Sequence, residues 1–421
     1  MSRLTAIELT RWRAFERKQR IELRPITLFF GWNNTGKSAL LRALPLIADS
    51  ARPDAAAPLN LKGAVARGAT FRDVSWRGER NGLSIALEWE GEVPPRYEVE
   101  LLIDDDPPKQ PVMRVKRFSW RGERGDQIEG VWNLTDANGH GSGFDLSGTT
   151  TGPATLRFTG LRPRGQDEAV NDRLLGAVRR IEALDDAVQW LASVRAVPYG
   201  PVRVQEGVSA HIEPDGRDVL DVLQQSPTVL ARVNDWLEAH AQRSLELKNV
   251  SPGYVQPELR HVASGHAQRL ADHGEGILQV LPVLAAIERA RSGFGDLQIA
   301  PRIVAVEDPE SHLHPHLQHA LAQKIASVAM DDDPPTMVLE THSQHLLLAV
   351  QLAVAQGVDG RRLDPSRVAI YWVEQDAEGV SEATPVRIDS NGDLHDWPPD
   401  VYSDVVDMAR ELTAHRWGLR R

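Results

Sequence analysis

Three short stretches carry residues whose types and spacing can do chemistry. "GWNNTGKS" at 31–38 has glycine at its first and sixth positions, followed by lysine and a hydroxyl. Gly31 and Gly36 let backbone N–H groups turn toward an anion with no Cβ in the way; Lys37 supplies a point positive charge and Ser38 a hydroxyl ligand for Mg2+. The motif follows the apolar "ITLFF" and precedes the helical "SALLRALPLIA", the strand–loop–helix setting that a phosphate-binding loop requires. Asn33, Asn34, Thr35 and Ala39 fall on the same loop and count as nucleotide-lining residues. Such a loop calls for acids at the end of another buried strand, and "RIVAVEDPE" offers Glu307 and Asp308. Glu307 would orient Mg2+ through its water shell, and Asp308 would polarise an attacking water.

The third stretch, "VEDPESHLHPHLQH" at 306–319, holds four of the fourteen histidines. Pro315 fits the first position of a helix, so His316 and His319 share a helix face while His312 and His314 lie in the turn before it. A transition-metal site would need three of these to converge, which the spacing allows but does not require.

The elements that must position these residues alternate between strand and helix at both ends of the chain. "LTAIELT" and "RIELRPITLFF" read as strands around a basic bend, "RWRAFERKQR". From 71 to 160, "GLSIALEWEG", "RYEVELLID", "VMRVKRFSW" and "ATLRFTG" read as strands between turn clusters such as "DDDPP" and "DANGHGSG". "SWRGER" occurs at 75–80 and again at 119–124, where both copies read as strand ends entering glycine turns. "DEAVNDRLLGAVRRIEALDDAVQWLASV" and "SPTVLARVNDWLEAHAQRSL" read as helices, followed by a helix entered through "DHGEG". "TMVLETHS" and "VAIYWVEQD" are further apolar strands, and a helix is expected at the C-terminus. The expected fold is α/β: a P-loop NTPase core, split as 1–70 and 260–421, with a β-rich insertion at 71–165 and a helical subdomain at 166–259.

With no cysteine, disulfide frameworks and thiolate–zinc sites are excluded. Arg3, Glu8, Arg11 and Arg13 interrupt any N-terminal signal, and no apolar run reaches membrane-spanning length, so a cytoplasmic protein without a membrane partner is expected. The net charge of −11 argues against a surface that is basic all over. Residues 3–24 nonetheless gather Arg3, Arg11, Arg13, Arg17, Lys18, Arg20 and Arg24 around Trp12 and Phe15, and Arg416, Arg420 and Arg421 add a basic tail. This pattern suits either a nucleic-acid surface with stacking aromatics or a well-mixed solvated hairpin.

"IELRPITLFFGWNNTGKS", "EDPESHLHP" and "LETHSQHLL", in that order, resemble the ABC-type, AAA-annotated ATPase heads of the SMC, RecF and OLD sort. The resemblance covers both ends of the chain and only patches of the middle, such as "LASVRAVP". It implies ATP and Mg2+ as ligands, with Gly31, Asn34, Gly36, Lys37 and Ser38 in the Walker A loop, Glu307 at the Walker B magnesium position and Asp308 as catalytic acid. His342 becomes the switch histidine facing the γ-phosphate. "ADHGEGILQV" falls at the segment that contacts ATP held by a second head, with Gly274 and Gly276 at its start; Leu278 stands where serine is common, so Gln279 or backbone would have to replace it. Gln205 is one candidate for the Q-loop glutamine, and residues 310–315 fall at the dimer-contact loop, which gives His312 and His314 a structural or trans-contact role.

The resemblance further implies a homodimer, or a higher oligomer, that sandwiches ATP between heads and controls a separate effector such as a nuclease, in DNA transactions or anti-phage defence. OLD proteins carry a Toprim nuclease, of which "YWVEQD" is a faint echo; without a following D-x-D, Glu374 reads as a surface residue and the chain as lacking its own nuclease. Three other readings compete: a scaffold with negligible turnover, an OLD-type metal-dependent nuclease, and a transporter ATPase, which the "PESHLHP" and "ETHS" forms disfavour.

Overall fold

The strand Ile26–Gly31 is buried at all six residues, as a strand of a parallel sheet covered on both faces must be. In the computed structural model it is fourth in a seven-stranded sheet. The order is Val188–Leu191, Ile303–Glu307, Thr336–Glu340, Ile26–Gly31, Val368–Gln375, Ser381–Ile388 and Leu394–His395. The first five run parallel and the last two are antiparallel additions. The structure describes residues 2–104, 111–123, 125–133, 142–196, 200–204, 211–292, 301–398 and 401.

Alternation along the strands divides the interior into two cores. Leu28 and Phe30 join Val304, Val306, Met337 and Leu339 beneath the helices Glu275–Ser292, Pro315–Ala329 and Gln344–Ala355. Phe29, Ile303, Ala305 and Val338 face the other way, toward the helices Ala43–Ser50 and Glu168–Ala187. In the latter helix Val170, Leu174, Ala177, Ile181 and Leu184 recur at steps of four and three, one apolar stripe turned inward.

That second core also covers a nine-stranded antiparallel sheet. Seven strands from Asn81–Trp89 to Arg162–Gly165 meander in sequence, and the N-terminal pair Leu4–Thr10 and Gln19–Glu22 completes the edge. The mixed α/β class, with an inserted antiparallel β segment and a helical segment, is as the sequence indicated.

Several details depart from expectation. The first hairpin belongs to the antiparallel sheet and not to the parallel one, because Leu4–Thr10 pairs with Asn81–Trp89 along its length. "VQWL" is no helix end: Val188–Leu191 is a fully buried strand beside Ile303–Glu307, as suits a β-branched and aromatic segment covered on both faces. The segment expected to be helical to 259 contains the strand Arg243–Ser251 and most of its partner Tyr254–His261, which form a small sheet with Val202–Arg203 and Ala267–Arg269. The two "SWRGER" copies are unrelated in structure: the first forms a 3-10 turn with Trp76 buried, and the second ends the strand Val112–Arg121. The "DANGHG" turn, most of "DDDPP", Gln205, the C-terminal helix and the basic tail lie outside the described residues. Among the described residues no helix is long and apolar enough to cross a membrane.

The bend between the first two strands is not a stacking surface. Trp12 and Phe15 are 1% and 0% exposed, and Trp12 Nε1 donates to Ala39 O at 2.9 Å, so the bend buttresses the phosphate loop from below. In the N-terminal basic cluster as a whole most cations are paired: Arg11 with Glu79 at 2.6 Å, Arg24 with Glu22 at 2.8 Å, and Arg20 with Glu8 at 3.1 Å. Glu8 is the hub, because Arg96 also reaches it at 2.7 Å and Lys18 at 3.5 Å. Burial pushes the Glu8 carboxyl up, but hydrogen bonds and charge from Arg96 and Arg20 outweigh this and hold it down at about 2. A depressed carboxyl stabilises the fold above its ordinary range and loses that effect as pH falls through the depressed value. Glu8→Gln is therefore expected to cost about 3 kcal/mol at neutral pH. In urea titrations, the gap from wild type should close as pH falls from 4.5 toward about 2.

Candidate nucleotide-binding site

The loop at 31–38 leaves the central strand and enters the helix Lys37–Leu41, which continues through Arg42 into Ala43–Ser50. Its two glycines are required by close approach. Gly31 has φ 149°, and a Cβ there would lie 2.0 Å from the Val373 carbonyl oxygen; Gly36 has φ 105°, and a Cβ would meet the Phe15 ring at 2.9 Å. Asn34 also lies at positive φ, 65°. Thr35 is buried and its hydroxyl donates to Trp32 O at 2.9 Å, closing the loop on itself; Asn33 and Asn34 are exposed and Ala39 is half-buried. Lys37 Nζ is turned into the loop, donating to Gly31 O at 3.1 Å and Trp32 O at 2.7 Å. Burial pushes the Lys37 ammonium down, against the pull of Glu340 and Asp308.

The parallel register brings the acids to the same sheet edge. Glu307 is the register partner of Glu340, which in turn pairs with Phe29 just before the loop. The two carboxylates are engaged differently. Glu307 is 2% exposed and takes the Arg42 guanidinium, Nε to Oε1 at 2.6 Å and Nη2 to Oε2, while Trp190 Nε1 donates to Oε1 at 3.0 Å. It does not bond Ser38. Ser38 Oγ instead donates to Glu340 Oε1 at 2.7 Å. Burial first, then the charges of Asp308 and Glu307, push the Glu340 carboxyl up to about 7.

Asp308 sits at φ 43° on the turn after its strand, its N–H donating to Glu340 O at 2.9 Å. Burial pushes its carboxyl up, while His342, Arg195 and Lys37 pull it down, so Asp308 lies among these three cationic or basic groups. His342 is exposed, and its imidazole is held toward the neutral form by partial burial and by Lys37. Glu310, 9% exposed, fixes the segment that carries it: Oε1 accepts from Thr341 Oγ1 and from the His342 N–H, both at 2.8 Å. Arg42 also borders a hollow of ≈ 300 Å³ with Arg13, Arg67 and Asp73.

Gly274 is exposed at the start of the helix Glu275–Ser292, with open space where a Cβ would go. Gly276 is a packing glycine: a Cβ there would stand 2.8 Å from the His312 carbonyl oxygen. Leu278 is 2% exposed in the core, and Gln279 is tied within the chain, Nε2 donating to Arg195 O at 2.7 Å. Neither side chain therefore faces a second head, contrary to the substitute role expected of Gln279. Arg195, itself buried, donates to Asp308 O at 3.0 Å, to the Glu307 carbonyl and to Gln279 O at 3.3 Å.

Among the described residues no three His, Asp or Glu side chains are grouped to hold a metal, so the histidines of 312–319 do not converge on one ion. His314 caps its helix by accepting from the His316 N–H at 3.4 Å, and His316 faces His240 with ring centroids 6.4 Å apart. Glu374 is exposed and accepts a bond from Trp372 Nε1 at 3.3 Å.

Residues 186–349, which include Trp190, both acid strands and His342, match the family described as AAA domain, putative AbiEii toxin, Type IV TA system. The Smc head bound to the C-terminal winged-helix domain of ScpA superposes with a TM-score of 0.50 at 11% identity, covering 92% of this chain and 98% of that one. The chain has the fold of an Smc head domain. Two further heads match at 11% identity with lower TM-scores, that from Thermotoga maritima (0.45; 92% of this chain, 100% of that one) and that from Pyrococcus furiosus with an extended coiled coil (0.46; 98% and 100%). No curated protein matches the sequence.

Motif reading missed Glu340, Arg42, Trp190 and Arg195, and gave Glu310 only a place at the start of the dimer-contact loop. For Glu340 a signal existed, since "TMVLE" ends an apolar strand in an acid just as "IVAVE" does.

An acid with a raised pKa costs stability as pH climbs from its ordinary value through the raised one. In metal-free buffer without nucleotide, Glu340→Gln should therefore melt above wild type at pH 8, and the difference should shrink toward zero near pH 5. Thermal scans at several pH values test this; equal melting at pH 8 would show that the Glu340 charge carries no such cost.

Proposed function

We propose that the chain binds and hydrolyses ATP at the 31–38 loop and pairs with a second copy through heads that sandwich the nucleotide. The observation that carries this is the meeting of Lys37, Ser38, Asp308 and His342 at one sheet edge, on a loop whose glycines admit no side chain. The Glu340 oxygen without a partner and the Lys37 ammonium turned onto loop carbonyls fit a site made for Mg2+ and phosphate. Bound Mg2+ would neutralise charge on the β- and γ-phosphates.

Within that reading Lys37 exchanges its bonds to Gly31 and Trp32 for phosphate oxygens. Asp308 accepts a hydrogen bond from the attacking water, and the neutral imidazole of His342 donates to the γ-phosphate, a hydrogen bond that disappears when that group leaves. The exposed helix start at Gly274, beside the 310–315 loop, is the surface offered to the second head. An interaction that exists only while the γ-phosphate is present biases a two-state dimer, which is how turnover would control a separate effector. An effector such as a nuclease, in phage defence or DNA transactions, suits the resemblance and the toxin–antitoxin description of the matched family. DNA binding loses the support of the N-terminal cluster, whose aromatics are buried and whose arginines are largely paired.

Turnover and native mass with ATP, for wild type, Lys37→Ala and Asp308→Asn, test the reading. Lys37→Ala should abolish hydrolysis, and Asp308→Asn should slow it by roughly 100-fold or more while trapping an ATP-bound dimer. Equal turnover in wild type and Lys37→Ala, with no change of mass, would sink it. The burial of Leu278 and the internal bonds of Gln279 favour a second reading, a nucleotide-dependent scaffold with negligible turnover. Steady hydrolysis lost in Lys37→Ala excludes that one.

A further inference from the structure

We propose that Glu340, and not Glu307, is the carboxylate that completes the magnesium side of the nucleotide site with Ser38, while Glu307 serves as the anchor of Arg42. The inference rests on the ATP-binding reading above and deepens it.

The first observation is the bonding of the two acids. Glu340 is 6% exposed; Oε1 accepts from Ser38 Oγ at 2.7 Å, and Oε2 is buried with no hydrogen-bond partner. A buried carboxylate oxygen left unpaired is costly, and a cation is the partner that an acceptor-only oxygen beside a hydroxyl ligand would take. In Glu307 both oxygens are filled, by the Arg42 fork and by Trp190 Nε1. For Glu307 to turn toward Ser38 it would have to break these three bonds and leave the Arg42 guanidinium without its carboxylate in a largely buried place, a large penalty.

The second observation is topological. Thr336–Glu340 lies directly beside Ile26–Gly31, whereas Ile303–Glu307 is one strand further away. Because Glu340 and Glu307 are register partners, they project from the same level of the sheet edge, and the nearer one is closer to the loop by about one strand spacing, roughly 4.8 Å. The same register leaves Asp308, one residue past the end of its strand, on the turn beside His342 and Lys37. The labour is thus split three ways: Glu340 toward the cation, Asp308 toward water, and Glu307 toward the protein's own arginine.

The test uses the full chain with Mn2+ as the probe and a non-hydrolysable ATP analogue, counting bound Mn2+ by electron paramagnetic resonance. Nucleotide binding is measured in parallel in EDTA. Wild type should retain Mn2+ with the analogue, and Lys37→Ala should lose nucleotide with or without metal. Glu340→Gln should bind nucleotide in EDTA like wild type yet hold Mn2+ about tenfold or more weakly. Glu307→Gln should keep Mn2+ affinity and melt at a lower temperature. If that variant does not fold, the paired substitution of Glu307→Gln with Arg42→Met removes both charges together and is read instead. Full Mn2+ retention by Glu340→Gln, or equal loss in a folded Glu307 variant, overturns the assignment while leaving ATP binding standing. Failure of wild type to bind the analogue overturns the ATP reading itself.

Discussion

The buried pair between Arg42 and Glu307 holds the two halves of the site together. Arg42 lies one helical turn beyond Ser38, and Glu307 ends a strand two places from the loop strand in the parallel sheet. Their fork therefore fixes the helix that carries Lys37 and Ser38 against the strand that delivers Asp308. A buried ion pair is weak evidence of net stability, since desolvation offsets much of the attraction, but removal of one member leaves a charge stranded in the core. Trp190 Nε1 adds a third bond to the same carboxylate, and Arg67 approaches it at 3.7 Å. This assembly reads as a device for register.

Around that anchor the site is electrostatically unfinished. Three acids, Glu307, Asp308 and Glu340, share one sheet edge, and only Glu307 has an arginine fork of its own. Burial and mutual repulsion push the other two carboxyls up, while burial pushes the Lys37 ammonium down. Each of these groups would be better solvated beside a partner that brings charges of both signs, which a metal-bound polyphosphate does. The protein keeps stress here that its nine-stranded sheet, with cross-strand pairs such as Arg96 with Glu88 and Lys116 with Glu100, does not carry.

What could be read from the sequence was local. The phosphate loop, the acid pair on an apolar strand, the helix opening at Pro315 and four of the seven strands of the meander all depend on spacing within a dozen residues, and spacing is what a sequence displays. What escaped depended on contacts across hundreds of residues. Trp12 and Phe15 looked exposed among arginines, yet Gly36 and Ala39 bury them. "VQWL" continued a helical stripe, yet a sheet position beside Ile303–Glu307 claimed it. Leu278 and Gln279 were placed by alignment to a motif, and the phase of their helix turned both inward. Glu340 was the avoidable omission, since its strand ends in the same pattern as the one that was recognised.

The close approach of Gly276 to the His312 carbonyl has a mechanical meaning. A methyl group would not fit between them, and Arg195 grips the same helix and the same loop from the buried side. The tip of the helix Glu275–Ser292 and the turn carrying Asp308 are thus two ends of one lever whose pivot is a guanidinium. A displacement of either one would have to break or carry along the contacts that tie it to the other.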